Sequence, residues 1–238
     1  GAPATGGKLP LIVMPHSGLA SRDDASFDWW AQFLVSRGYA VLQPQFRGSG
    51  GFGRSFENAG RKEWSGKMQT DLLDGVHALA AQGVIDPARV CIVGASFGGY
   101  AALAGATLHA DAYRCAVSVN GISDIGALLN QDVRLSGYDT GTMRYWRRQL
   151  GWGRGETVSP DHIAKQARGP ILLVHAKQDT TVYYEQSEKM NAALRDEAKP
   201  VEFVTIEGDD HYLSDAASRI AMLKAVDAFL AKNLPVGP

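Results

Sequence analysis

Arg89-Val90-Cys91-Ile92-Val93-Gly94-Ala95-Ser96-Phe97-Gly98-Gly99-Tyr100 is the stretch on which the fold turns. A short β-branched run enters a serine flanked by glycines, and a small-residue helical pattern leaves it, which is the strand-turn-helix context of a G-x-S-x-G elbow. At such an elbow the serine adopts strained backbone geometry, and the residues around it must be small so that strand and helix can pass closely. Gly94, Gly98 and Gly99 supply that room. The turn lifts the Ser96 hydroxyl out of the sheet, while the backbone N–H of Phe97, at the helix start, faces the place where an oxyanion would form.

Outward from the elbow, short apolar runs alternate with amphipathic segments. Leu11 to Met14, Ala40 to Leu42, Val90 to Val93, Cys115 to Val119, Ile171 to His175 and Val201 to Ile206 read as strands. Phe27 to Ser36, Lys67 to Ala81, Gly98 to Leu108, Glu185 to Glu197 and Ser214 to Asn233 read as helices. The alternation predicts an α/β fold with a mostly parallel sheet and helices on both faces. Asp86-Pro87 and Lys199-Pro200 read as turns before two of the strands. With 238 residues, one domain covering 1–238 is expected. The long stretch 120–159, which contains Tyr138, Tyr145, Trp146 and Trp152, reads as an irregular insertion covering the site.

Composition removes several function classes. Lys and Arg total 24 against 25 Asp and Glu, so no global field gathers nucleic acid or an anionic membrane surface. No apolar run approaches a membrane span, and no signal peptide is visible at the start. The Gly-rich run 47–53 lacks the Lys-Ser or Lys-Thr of a phosphate loop and reads as a tight turn. Cys91 and Cys115 each lie in an apolar run and are expected to be buried, reduced thiols. That expectation slightly favours the cytoplasm.

A serine hydroxyl needs a base to take its proton and a carboxylate to fix the tautomer of that base. His211 lies in Glu207-Gly208-Asp209-Asp210-His211-Tyr212, after the last strand and before the last helix, where a returning base belongs. His77, His109, His162 and His175 read as structural or solvated, and His16 as a residue that stiffens its turn. Asp179, just beyond the strand Ile171 to His175, is the expected acid, because a strand end can approach the Nδ1 side of the imidazole. Asp209 and Asp210 are nearer in sequence and stand as alternatives. The turn Pro15-His16-Ser17-Gly18-Leu19 occupies the place of an oxyanion loop, with a backbone N–H of Ser17 or Gly18 as second donor beside Phe97.

These residues resemble the catalytic domain of the prolyl oligopeptidase family of serine peptidases, particularly its acylaminoacyl-peptidase and dipeptidyl-peptidase branch. The matching stretches include Leu11-Ile-Val-Met-Pro-His-Ser-Gly, Arg37-Gly-Tyr-Ala-Val-Leu-Gln-Pro-Gln-Phe-Arg-Gly-Ser, Gly94-Ala-Ser-Phe-Gly-Gly-Tyr-Ala-Ala, Ser159-Pro160, and Glu207-Gly-Asp-Asp-His. The resemblance implies an α/β-hydrolase fold, a triad of Ser96, Asp179 and His211, and hydrolysis of short peptide or acyl-peptide substrates without cofactor or metal. It also implies a β-propeller in the full-length parent, so the chain is read as an excised catalytic domain. Loss of neighbouring strands could bare a sheet edge, and a homo-oligomer is a side expectation. In the family pattern Ser17 replaces a glycine, Leu19 a proline and Phe97 a tyrosine.

A carboxylesterase of the same fold is the nearest rival, because elbow, triad and oxyanion hole serve esters and amides alike. A non-catalytic binding module would call for a missing triad member, and all three residue types are present.

Overall fold

The computed structural model describes residues 7–138, 140–151 and 158–237. Six strands, β1 (Leu9–Val13), β2 (Ala40–Leu42), β3 (Ile85–Ala95), β4 (Cys115–Val119), β5 (Ile171–Ala176) and β6 (Val201–Ile206), form one sheet in the order β2-β1-β3-β4-β5-β6. Every neighbouring pair is parallel. The chain leaves β1 in one direction and then returns to build the rest of the sheet on the other side. The carboxyl ends of β1 and β3 therefore flank a topological switch point, where open α/β sheets form a crevice.

Alternation along each strand sorts the core into two layers. Leu11, Val13, Val90, Ile92, Ile171 and Leu173 pack toward α3 (Lys67–Ala81), α4 (Phe97–Leu108) and α7 (Glu185–Asp196). Ile12, Val93, Val117, Leu172 and Val174 pack toward α1 (Trp29–Ser36) and α8 (Ala216–Asn233). Each such side chain contributes about 1.5–3 kcal/mol on burial, so both layers help hold the sheet beneath the site. Side chains fix several of the helix starts; among them, Asp28 accepts from the N–H groups of Trp30 and Ala31, and Asp215 from those of Ala217 and Ser218.

Three expectations are corrected. Cys91 and Cys115 are joined in a disulfide, not held as reduced thiols. They stand opposite one another in the β3–β4 register, on the same face, with Cα atoms 4.7 Å apart, which is within bridging range. Their separation of 24 residues hides this adjacency, because only parallel pairing creates it. The preference for the cytoplasm loses its support. Asp86-Pro87 lies inside β3, not before it, and makes a local irregularity in the register between Leu9 and Leu11.

Within 120–159 the described residues are largely helical rather than irregular. It holds α5 (Ile125–Ser136), capped by Asp124, and α6 (Gly141–Leu150), capped by Thr140. Gly137 and Gly151 end these helices with φ of 85° and 80°, in the region that favours glycine. Trp146 packs edge-on against Trp64, which belongs to the core, and its indole N–H donates to Asp132. Trp152 lies outside the described residues. A short helix α2 (Arg54–Ala59) and a 3₁₀ segment (Pro160–Gln166) complete the described elements.

Candidate active site

Ser96 sits between β3 and α4 with φ 55° and ψ −119°, a conformation that costs of order 1–3 kcal/mol in a residue with a Cβ. Neighbouring backbone holds it there. Its N–H donates to the Val119 carbonyl at 3.0 Å, and its own carbonyl accepts from Tyr100 at 3.0 Å. A Cβ at Gly94 would come 2.4 Å from the Gly98 backbone, and one at Gly98 would come 2.4 Å from the Pro15 carbonyl oxygen. Glycine is therefore required at both places to bring β1, β3 and α4 together.

The structure brings three of the sequence-predicted residues into one line. His211 Nε2 lies 3.0 Å from Ser96 Oγ, and His211 Nδ1 lies 2.6 Å from Asp179 Oδ2. A carboxylate can only accept, so Nδ1 carries the hydrogen and the lone pair of Nε2 faces the serine. Asp209 and Asp210 are occupied elsewhere. Asp209 accepts from the backbone of Asp210 and Asp215, and Asp210 accepts from Tyr212 and Ser214.

Asp179 is buried, and burial alone would raise its pKa. Hydrogen bonds from His175, His211 and the Val182 N–H outweigh that effect and hold the carboxyl well below the usual carboxylate range. Its second oxygen, Oδ1, accepts from the N–H groups of Thr181 at 2.8 Å and Val182 at 2.9 Å. The acid is thus kept ionised and cannot swing away from the imidazole.

The loop after β1 faces the elbow. His16 stacks on Phe46 with ring centroids 4.3 Å apart, and its ring nitrogens reach Gly18 O at 3.1 Å and Ser49 Oγ at 2.7 Å. Burial lowers its pKa, which suits a neutral structural ring. Ser17 donates its hydroxyl to the Ala95 carbonyl at 3.1 Å, a tie between this loop and the elbow that glycine could not make. Gly18 has φ 78°. The N–H of Phe97 opens α4 and has no preceding helical carbonyl to reach. A cavity of about 490 Å³ touches Ser17, Gly18, Ser96 and His211.

Comparison with known proteins fits this arrangement. The prolyl oligopeptidase family model matches residues 25–236. The chain belongs to the prolyl oligopeptidase family. The family match is echoed by dipeptidyl aminopeptidase BIII of Pseudoxanthomonas mexicana, 34% identical over 233 residues, covering 95% of this chain and 33% of that protein. Dipeptidyl peptidase family member 6 of Caenorhabditis elegans is 29% identical over 232 residues, covering 94% of this chain and 31% of the relative. The chain spans about a third of the length of these relatives. Among solved structures, a puromycin-hydrolyzing peptidase of Mycobacterium tuberculosis superposes with a TM-score of 0.89 at 30% identity, covering 98% of this chain and 35% of that one. The α/β-hydrolase domain of this family is therefore the fold of the chain.

Sequence reading missed the residues that hold this family's site in place. His175, read as structural or solvated, is structural, but its place beneath the acid was not foreseen: it is fully buried there, with Nε2 2.9 Å from Val182 O and 3.5 Å from Asp179 Oδ2. Its Nδ1 faces Ser187 Oγ at 2.7 Å. Asn120, at φ 45°, donates to the His211 carbonyl at 2.9 Å and accepts from the Ala176 N–H at 2.8 Å, tying β4 to the histidine loop. Gln131 of α5 donates to the Thr181 carbonyl at 3.1 Å. Only His175 carried a signal, since it stands four residues before Asp179 at a strand end.

Proposed function

We propose that this chain is the catalytic domain of a serine peptidase that hydrolyses short peptides or acyl-peptides through an acyl-enzyme. The observation that supports this reading is the relay from Asp179 through His211 to Ser96, at 2.6 and 3.0 Å. Ser96 Oγ attacks the scissile carbonyl while His211 Nε2 takes its proton. The backbone N–H of Phe97, with that of Ser17 or Gly18, receives the developing oxyanion. His211 then gives the proton to the leaving amine, and the C–N bond breaks. Water, activated by the same imidazole, attacks the ester, and the carboxylic acid leaves as Ser96 regains its proton.

Asp179 holds the Nδ1 hydrogen and stabilises the imidazolium; it remains ionised throughout. That the relatives are named as peptidases supports amides over esters as the substrates of this site. In our reading a β-propeller, as the family resemblance implies, accounts for part of the length that the relatives have beyond this match, and the helices of 120–159 shield and support the site. One support is visible in the Gln131 bond to the acid loop.

Labelling with a fluorophosphonate tests the assignment. The expected result is one modified residue, Ser96, with labelling abolished in Ser96→Ala and strongly slowed in His211→Ala. Equal labelling of Ser96→Ala would remove the nucleophile from this reading.

A further inference from the structure

We propose that the cavity beside His211 is a leaving-group pocket that takes an apolar amino-acid side chain, aliphatic or aromatic, immediately after the scissile bond. This rests on the peptidase reading above. His211 Nε2 must hand its proton to the leaving nitrogen, so the leaving group has to lie on the imidazole side of Ser96 Oγ. The cavity is on that side. Tyr212 and Leu213, which follow His211 in the chain, form one wall, and Trp29 and Trp30 at the start of α1 form another.

The lining chemistry selects the ligand. Val119 at the end of β4, Leu213 in the loop after His211 and Met222 of α8 contribute buried apolar side chains. Among the described residues, no Asp, Glu, Lys or Arg lines the cavity. A charged side chain entering it would lose water without gaining a partner, whereas an apolar one gains by the same transfer. The volume of about 490 Å³ is large enough for a leucine or phenylalanine side chain and its backbone.

Access and rigidity also fit. Ala95, the residue before the nucleophile, ends at Cβ, so the passage from Ser96 into the cavity is not closed by a larger side chain. Leu213 is held at φ 48°, and Arg219 Nε donates to its carbonyl at 2.7 Å. The Arg219 guanidinium lies 5.8 Å from the ring centre of Trp29, linking the two walls. Trp29 is 41% exposed, leaving apolar surface for a ligand to cover.

Acyl transfer to added amines isolates this pocket from the acyl side. The acyl-enzyme is formed from one p-nitrophenyl ester of a blocked amino acid, and glycinamide, leucinamide, phenylalaninamide or aspartic acid α-amide competes with water. The amine nitrogen adds to the acyl carbonyl, the bond to Ser96 Oγ breaks, and the proton shed by the amine returns through His211 to the serine oxygen. The expected ratio of peptide product to hydrolysis is about tenfold higher for leucinamide and phenylalaninamide than for glycinamide, and lowest for the aspartic amide. Trp29→Ala, a change at a partly exposed position, should reduce that preference at least about threefold, and Trp29→Phe should retain it.

Equal partition among the four amides, with nitrophenol released normally, overturns the pocket and leaves the peptidase reading standing. A preference among the amides that Trp29→Ala leaves unchanged overturns it too. Absence of any Ser96-dependent nitrophenol release overturns both readings together.

Discussion

His175 stands under Asp179, its Nε2 3.5 Å from the same Oδ2 that meets His211. The ring donates chiefly to the Val182 carbonyl at 2.9 Å, so it fixes the loop that carries the acid as well as adding a positive edge beside the carboxylate. His175→Phe should therefore lower kcat/KM by about five- to tenfold, with most of the loss in kcat, the equivalent of one hydrogen bond near a charge. His175→Gln should recover part of it. Steady-state kinetics on both variants check this, alongside thermal melts that separate turnover from folding.

Asp179→Asn should leave the fold intact and lower turnover by about four orders of magnitude, because the amide can donate to Nδ1 and so favours the wrong histidine tautomer. Its depressed pKa also sets a sign. A carboxyl held below its unfolded value contributes stability above the unfolded pKa and loses that contribution as pH falls through the folded value. Wild type should therefore lose more stability between pH 5 and strongly acid solution than Asp179→Asn does, as read by urea midpoints across that range.

Reduction tests the Cys91–Cys115 bridge. Closing a loop between residues 24 apart removes unfolded-state freedom worth about 3 kcal/mol, so reductant should shift the urea midpoint downward by that equivalent. A digest without reductant should contain the two cysteine peptides linked. Two titratable thiols in the unreduced, denatured chain would contradict the bridge.

Asp161 has a raised pKa of about 6, first because it is buried and then because Asp124 lies near it. The raised value means that protonation favours the fold; the contribution is full below the unfolded pKa and is lost as pH rises through about 6. One of its oxygens, Oδ1, has no hydrogen-bond partner among the described residues. Asp161→Asn should stabilise the protein above pH 7, by about 1 kcal/mol after allowing for solvent screening, and change little at pH 4.5. Melting curves at the two pH values check the difference.

Much of this fold is written in local pattern. β2, β4, β6 and α3 occupy the stretches that periodicity predicts, because short β-branched runs and amphipathic helices leave distinct spacings. Ser96, Asp179 and His211 were legible because each follows a strand at the carboxyl edge. The disulfide was not, since the adjacency of Cys91 and Cys115 depends on strand order, a property of the whole sheet. The helices of 120–159 were obscured by glycines and arginines; their buried faces become apparent only against Trp64 and the core it belongs to. The roles of His175 and Asn120 beside the site were harder to read for another reason. A buried polar side chain takes its meaning from the partners that folding supplies, here Val182, Asp179 and the His211 carbonyl.

The mass of the chain trapped during turnover bears most directly on the role of Ser96. Mixing with a p-nitrophenyl ester and quenching in acid within the first turnovers should yield a single acyl adduct, mapped to the peptide that contains Ser96. The adduct should be absent in Ser96→Ala and should accumulate far more slowly in His211→Ala. An adduct on another residue, or undiminished turnover in Ser96→Ala, would contradict the assignment.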